Sequence, residues 1–151
     1  MISYIKLCTI IIMSLFYIGV GCAHFISPEI FLFIMPPYLP FHLELVYISG
    51  FFEILLGVLL LIKRYRFFAG CGLIILLILV FPANIYLYNS DMARDAYGQV
   101  SQVDSLVRMF FQLPLIVIAY WHTQENNSKQ MSYLYICISV ITILYFGYIL
   151  F

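Results

Sequence analysis

Charged side chains are scarce in this chain. Seven lysines and arginines and 7 aspartates and glutamates make up 9% of its 151 residues, against about 25% in soluble domains. The two signs balance and no basic block stands out, so nucleic acid is not expected as a partner. Apolar residues make up 65% of the chain, and the mean hydropathy is +1.06. This composition predicts one integral membrane domain, with the lipid bilayer as its solvent.

Clustered cysteines and the common catalytic motifs are also missing. The four cysteines are isolated in apolar segments, which argues against a dithiol mechanism within the chain. The sequence has no glycine-rich phosphate loop, no nucleophile elbow and no His-x-x-x-His spacing. His24 and His42, with Glu44 or Glu53, have the residue types of a metal site. Sequence supplies no geometry for them, so no metal is expected.

Long apolar runs are what the chain has instead. Each of five runs is near the roughly 20 residues that cross a bilayer core as a helix, which predicts an all-α polytopic bundle. The fourth begins with a capping pattern, Ser101 followed by Asp104. The five predicted helices are Ile2 to Phe25, Phe41 to Ile62, Phe67 to Tyr88, Gln102 to His122 and Met131 to Phe151.

Basic residues set the expected orientation, because lysine and arginine favour cytoplasmic loops. The pattern places the N-terminus in the cytoplasm and the C-terminus outside, in a bacterial inner membrane. The cations that it places on the cytoplasmic side are Lys6, Lys63, Arg64, Arg66 and Lys129. In an alternative interpretation, the first segment is a lipoprotein signal with Cys22 as the acylated residue.

The two outer connections differ in character. Ser27 and Pro28 have the pattern of a helix start, and Pro36 with Pro37 ends it, so a short helix is expected between the first two spans. The second connection, Asn89 to Val100, is polar and is expected to be a solvated loop or a lid, with Gly98 as a turn.

Glu53 stands out within the apolar stretch Leu43 to Ile62. An acidic residue at the centre of a membrane helix costs about 2.5 kcal/mol or more unless it is paired or hydrated. Several further polar side chains share its outer half of the membrane: His24, His42, Asn84, Arg108 and Gln112. This asymmetry predicts a polar pocket that opens to the outer side.

Helical spacing suggests how these residues meet. Ser49, Glu53 and Gly57 repeat at intervals of four, and so do Asp104, Arg108 and Gln112. Small residues beside Glu53 permit a close helix approach. If the two faces meet, Gln112 is expected to hydrogen-bond Glu53.

Purely structural roles are open to the same residues. A protonated Glu53 would serve as a hydrogen-bonded brace between helices. The remaining structural roles are an ion pair of Arg108 with Asp104, an interfacial position for His24, repair by Asn84 of backbone bonds freed by Pro82, and a helix C-terminal cap at His122.

Several segments together resemble the DoxX-like family of small membrane proteins. They are Gly21-Cys22-Ala23-His24-Phe25-Ile26-Ser27-Pro28, Met35-Pro36-Pro37-Tyr38-Leu39-Pro40, Val46 to Glu53 with Gly57, Val80-Phe81-Pro82-Ala83-Asn84 and Arg108-Met109-Phe110-Phe111-Gln112. The resemblance implies a four-helix membrane bundle, here residues 1–123, to which residues 131–151 add a helix. It also implies links to quinol oxidation, to membrane oxidoreductase complexes and, in animal relatives, to receptor assembly.

The leading functional hypothesis is a redox-associated accessory subunit that holds a small lipophilic ligand such as a quinone. Glu53 and His24 would accept a proton, and Asn84, Arg108, Gln112 and His42 would bind the ligand. Electrons would pass to a membrane or periplasmic redox partner, and a homo-oligomer is compatible with this role. Two further hypotheses are a ligand-free assembly or scaffold protein and a small transporter.

Overall fold

The computed structural model describes residues 2–125 and 127–150, and this part of the chain is helical with no strand. The predicted all-α bundle is therefore confirmed. Seven α-helices follow in chain order: α1 (Ile2–Ile26), α2 (Pro28–Leu32), α3 (His42–Leu61), α4 (Arg66–Asn89), α5 (Asp91–Ala96), α6 (Gln102–Thr123) and α7 (Lys129–Leu150). A short 3-10 helix, Lys63–Tyr65, joins α3 to α4.

Five of the helices are long and apolar enough to cross a membrane: α1, α3, α4, α6 and α7. Their ends lie within a few residues of the five predicted spans. Large apolar side chains such as Phe68 and Leu79 remain 69% exposed, as expected where lipid replaces water as the solvent. The chain is thus a multi-pass membrane protein.

The helices pack in two close pairs, α1 with α3 and α4 with α6. Contacts between α3 and α4 join the pairs, and α7 packs chiefly on α6. The centre of the bundle contains side chains from both pairs, among them Ile10, Leu60, Leu73 and Ile118, which are at most 1% exposed.

Connections gather at the two ends of the bundle. We call the end that contains Lys6, Lys63, Arg64 and Arg66 the basic end. At the opposite end, Ile34 packs with Leu87 and Ala93 in a small second cluster. Through this cluster, the connection that contains α2 packs against the connection that contains α5.

The connection between α4 and α6 differs from the prediction. Residues 91–96, expected to be loop, form α5. Ser90 Oγ accepts a hydrogen bond from Ala93 N at 3.2 Å, and Arg94 pairs with Asp91 within this short helix. The turn expected at Gly98 is confirmed by its φ of +121°, which favours glycine.

Two predicted helix starts are present. α2 begins at Pro28, directly after Ser27, whose side chain makes no capping bond. At α6, Ser101 Oγ accepts from Asp104 N at 3.1 Å and donates to Asp104 Oδ2 at 2.6 Å. The capping pattern therefore performs its expected role at the start of the fourth span.

Candidate functional site

Glycines bring α1 and α3 into close contact. A Cβ atom at Gly21 would lie 2.7 Å from the carbonyl oxygen of Gly50 and 3.0 Å from the Cβ of Glu53. A Cβ at Gly57 would lie 3.1 Å from the carbonyl oxygen of Ser14. Larger side chains would push the backbones apart. The small residues flanking Glu53 thus let α1 approach, as their spacing indicated.

This approach places His24 beside Glu53. Nδ1 of His24 lies 3.3 Å from Oε2 of Glu53, and the two side chains are 7% and 13% exposed. The same nitrogen lies 2.9 Å from the carbonyl oxygen of Val20, one turn earlier in α1. Since a carbonyl oxygen only accepts, Nδ1 donates its hydrogen to Val20. Oε2 of Glu53 is left without a hydrogen-bond partner among the described residues.

Two more polar groups on the same face of α1 are also unpartnered. The hydroxyl groups of Tyr17 and Ser14 are buried and have no hydrogen-bond partner in the described part of the chain. Tyr17 lies four residues, about one helical turn, before Gly21, where α1 contacts Glu53. Both residues lie on the face of α1 that contains Gly21 and His24, since they are spaced by three, four and three along the helix. A buried polar group without a partner costs about 1–3 kcal/mol, so this face has unused capacity for hydrogen bonding.

Phe31 covers the pair from the α2 side. Its ring stacks on the His24 imidazole with centroids 3.6 Å apart. The apolar residues of the first connection therefore fold back onto the polar pair. The Ser27-Pro28 start predicted this short helix, in the interface or dipping into the bundle, but gave no partner for Phe31.

Asn84 and Gln112 form a second polar pair, between α4 and α6. Asn84 Nδ2 donates to Gln112 Oε1 at 2.8 Å, and Gln112 Nε2 donates to the carbonyl oxygen of Leu77. The expected bond between Gln112 and Glu53 was wrong, because α6 packs on α4 whereas α3 packs chiefly on α1.

A proline lies close to this arrangement in α4. Pro82 has no N–H and cannot bond the carbonyl of Ile78, four residues earlier. The neighbouring carbonyl, that of Leu77, accepts from Gln112. The polar residue that bonds the α4 backbone near the proline is thus Gln112, whereas the sequence suggested Asn84.

Arg108 has an aromatic partner. It donates to the Tyr97 hydroxyl, and its guanidinium lies 4.8 Å from the centroid of that ring. The ion pair with Asp104 is not found, since Asp104 bonds to Ser101 instead. Arg108 therefore links α6 by a side-chain contact to Tyr97, the residue that follows α5.

The two remaining histidines have separate roles. His42 Nε2 lies 3.1 Å from the carbonyl oxygen of Pro36 and stabilises the turn before α3. His122 is 3% exposed, and its Nε2 lies 3.2 Å from Oγ1 of Thr9 in α1. The expected capping role of His122 was wrong, because α1 and α6 approach each other at the basic end and bury the ring.

The predicted polar residues thus meet in two pairs. Among residues 2–125 and 127–150, no hydrogen bond joins the His24–Glu53 pair to the Asn84–Gln112 pair, and no group of acidic, histidine or cysteine side chains has the arrangement of a metal site. The two described cavities lie elsewhere: a cleft of about 1100 Å³ at the basic end, and an apolar cavity of about 240 Å³ between α1 and α7.

Fold and polar pairs together define a helical membrane protein with an incompletely hydrogen-bonded carboxyl group between two of its spans. Residues 13–123 match the model of a domain of unknown function, DUF8561, and the chain belongs to this family. The match runs from the middle of α1 to the last residue of α6 and leaves α7 outside. No curated protein and no solved structure matches the chain.

Proposed function

We propose that this protein is a redox-associated accessory subunit of the bacterial inner membrane, in which the His24–Glu53 pair binds the polar head of a small lipophilic ligand of the quinone class. The resemblance to DoxX-like proteins supports this class of function. The ligand would enter from the outer side, and the N-terminus would lie in the cytoplasm.

One observation carries the proposal: Glu53 Oε2 is buried and has no hydrogen-bond partner among the described residues. A brace that only stabilises the bundle would satisfy both carboxyl oxygens, because an unpartnered buried polar atom is destabilising. Intramembrane acids that face the interior of a bundle commonly mark ligand or proton sites.

The neighbouring groups suit a quinone head. The Tyr17 hydroxyl is a donor for a ligand carbonyl, and the Glu53 carboxylate is an acceptor for a ligand hydroxyl. Because Val20 holds Nδ1 of His24, the other ring nitrogen of the neutral imidazole is free to accept a proton. Phe31, stacked on His24, would have to move to admit the ring.

A quinol supplies two electrons and two protons when it is oxidised. The chain contributes proton acceptors, Glu53 and His24, and the electrons would go to a partner protein with a haem, flavin or iron–sulfur centre. Asn84 and Gln112 bond to each other and to the α4 backbone, so in this proposal they support the bundle wall rather than touch the ligand.

Purification with retained lipids tests the proposal. Wild-type protein and the variants Glu53→Gln and Glu44→Gln would be extracted under the same conditions, and bound quinone quantified by mass spectrometry. Glu44 is an exposed acid on the same helix, so its variant is the matched control. Quinone should be retained by wild type and Glu44→Gln and lost from Glu53→Gln. Wild-type protein with no more quinone than an unrelated membrane protein would end the proposal.

A ligand-free assembly or scaffold protein is the second candidate. The close glycine contact of α1 with α3 and the mutually satisfied Asn84–Gln112 pair favour it, because both features stabilise a bundle without any ligand. In that case Glu53→Gln keeps partner binding, whereas a bulky residue at Gly57 abolishes it.

A further inference from the structure

The cleft at the basic end lies far along the bundle from the His24–Glu53 pair. It is formed by the start of α1, the α3–α4 connection, the end of α6 and the start of α7. Its volume of about 1100 Å³ is slightly above the range of roughly 300–1,000 Å³ of small-molecule sites. A space of this size is sufficient for a sizeable ligand.

The charge of the cleft is strongly positive. Four of the chain's 7 lysines and arginines line it, namely Lys6, Lys63, Arg64 and Arg66, against one carboxylate, Glu125, which gives a formal charge of +3. Among the described residues none of the four cations forms a salt bridge. A positive charge of this kind, beside a membrane surface, attracts anionic groups.

Hydrogen-bond donors in the cleft are only partly used. Arg66 donates through Nε to the carbonyl oxygen of Leu60 at 3.1 Å, which fixes the side chain and leaves its terminal N–H groups for an anion. Lys6 donates to the carbonyl oxygen of Gln124 and lies 5.4 Å from the centroid of the Trp121 ring. Trp121 is fully buried, and its indole N–H has no acceptor in the described part of the chain.

Apolar side chains complete the cleft. Ile2, Leu7, Ile10 and Phe67 line it together with the cations. A free phosphate ion would use only the cations. An anionic phospholipid would use both parts, with the phosphate at the cations and the upper acyl chain against the apolar residues.

We propose that the basic-end cleft binds the phosphate head group of an anionic phospholipid. The proposal is independent of the quinone hypothesis, because the two sets of residues do not overlap. It requires only the five-helix membrane fold and the lining described above.

Trp121 provides the assay, because it is the only tryptophan in the chain and it lines the cleft. Full-length protein in neutral detergent would be titrated with short-chain phosphatidylglycerol while the tryptophan emission is followed. Short-chain phosphatidylcholine matches the tails without the net charge, and glycerol phosphate and inorganic phosphate match the anion without the tails. Native mass spectrometry of the same samples gives a second readout of bound lipid.

Phosphatidylglycerol alone should shift the emission and remain bound in the mass spectra. The double substitution Lys63→Gln with Arg64→Gln changes exposed residues of the cleft, and should weaken binding by about fivefold for each cation removed. Arg66→Gln should weaken it further. Lys129→Gln is the matched control, since Lys129 is exposed near the same end but does not line the cleft.

Three results would overturn the proposal. Equal binding of phosphatidylcholine would show that the cations of the cleft do not select an anionic head group. Equal binding of inorganic or glycerol phosphate would show a site for a soluble anion. Absence of both an emission change and a retained phosphatidylglycerol would show that the cleft binds no anionic lipid.

Discussion

Asn84 and Gln112 are each other's hydrogen-bond partners across the α4–α6 contact, with 2.8 Å between Nδ2 and Oε1. Gln112 is 4% exposed and also donates to the Leu77 carbonyl. The pair therefore joins two spans at the point where Pro82 interrupts the α4 backbone pattern. Two polar side chains that looked like ligand donors in the sequence bond to each other, with Asn84 as the donor and Gln112 as the acceptor.

Replacing either partner should destabilise the bundle. We expect Asn84→Ala and Gln112→Ala each to lower the free energy of unfolding by about 1–2 kcal/mol, because the remaining amide becomes an unsatisfied polar group in an apolar setting. The measurement is reversible unfolding in mixed micelles of increasing SDS content. The double variant should lose less than the sum of the single losses, since the second substitution removes a group that is already unpaired.

Gln102→Ala is the control for this cycle. Gln102 is an exposed residue at the start of the same helix, so its loss should change stability by less than about 0.5 kcal/mol. Strict additivity of Asn84→Ala and Gln112→Ala would contradict the hydrogen bond between them.

Glu53 should have the opposite effect on stability. Because its Oε2 has no hydrogen-bond partner and the Nδ1 of His24 is held by Val20, Glu53→Leu removes an unsatisfied group without leaving another. We expect the free energy of unfolding to rise by about 1 kcal/mol or more in the same SDS assay. A residue that is present although it destabilises the fold is expected at a ligand or proton site.

The matched control is Glu44→Leu, at an exposed position on the same helix. It should leave stability nearly unchanged. A clear loss of stability in Glu53→Leu would instead indicate that the carboxyl group braces α1 against α3, and would favour the scaffold hypothesis.

Gly50 should tolerate no side chain. A Cβ there would lie 2.5 Å from the Cβ of His24 and 3.0 Å from the carbonyl oxygen of Gly21, so Gly50→Ala forces α1 and α3 apart. Overpacking of this kind costs about 1–3 kcal/mol. The thermal midpoint in detergent should fall, and quinone retention should fall with it if the His24–Glu53 pair binds the ligand.

Gly19→Ala provides the comparison on the partner helix. A Cβ at Gly19 would have nothing within 4 Å, and alanine is the better helix former. Its thermal midpoint should equal that of wild type or exceed it. Equal losses at Gly19 and Gly50 would show that the effect does not come from the close contact of α1 with α3, since alanine improves helix propensity at both positions.

The spans could be predicted from sequence because each depends only on its own run of apolar residues. Side-chain partners depend also on which helices are neighbours and how each is rotated. Gln112 lies on the expected face of its helix, yet it meets α4 where α3 was expected. His122 looked like a cap because it is in the last turn of α6, and only the approach of Thr9 from α1 buries it.

At the basic end, too, the sequence predicts the location of side chains along the helices but not which side chains meet. Lys6, Lys63, Arg64 and Arg66 could be assigned from sequence to one side of the membrane, since they lie at the ends of apolar runs. Their assembly around a cleft could not be predicted, because it depends on the 3-10 helix at Lys63–Tyr65 and on the position of α1 beside α6. Tyr17, by contrast, could have been found from its spacing of seven residues before His24.

The orientation of the chain gives the last prediction. With five spans, the two termini are expected on opposite sides of the membrane, and the loop cations favour a cytoplasmic N-terminus. In a bacterial host, a C-terminal alkaline phosphatase fusion should therefore be active, because this enzyme folds only outside the cytoplasm. A C-terminal green fluorescent protein fusion should be dark, because this reporter becomes fluorescent in the cytoplasm and not after export.

Fusions after Gln124 provide the internal control. That position follows α6 at the basic end, so the fluorescent fusion should be bright and the phosphatase inactive. Active phosphatase at both positions would mean that α7 does not cross the membrane. Reversed results at both positions would place the basic end outside, and the phospholipid cleft would then face the outer leaflet.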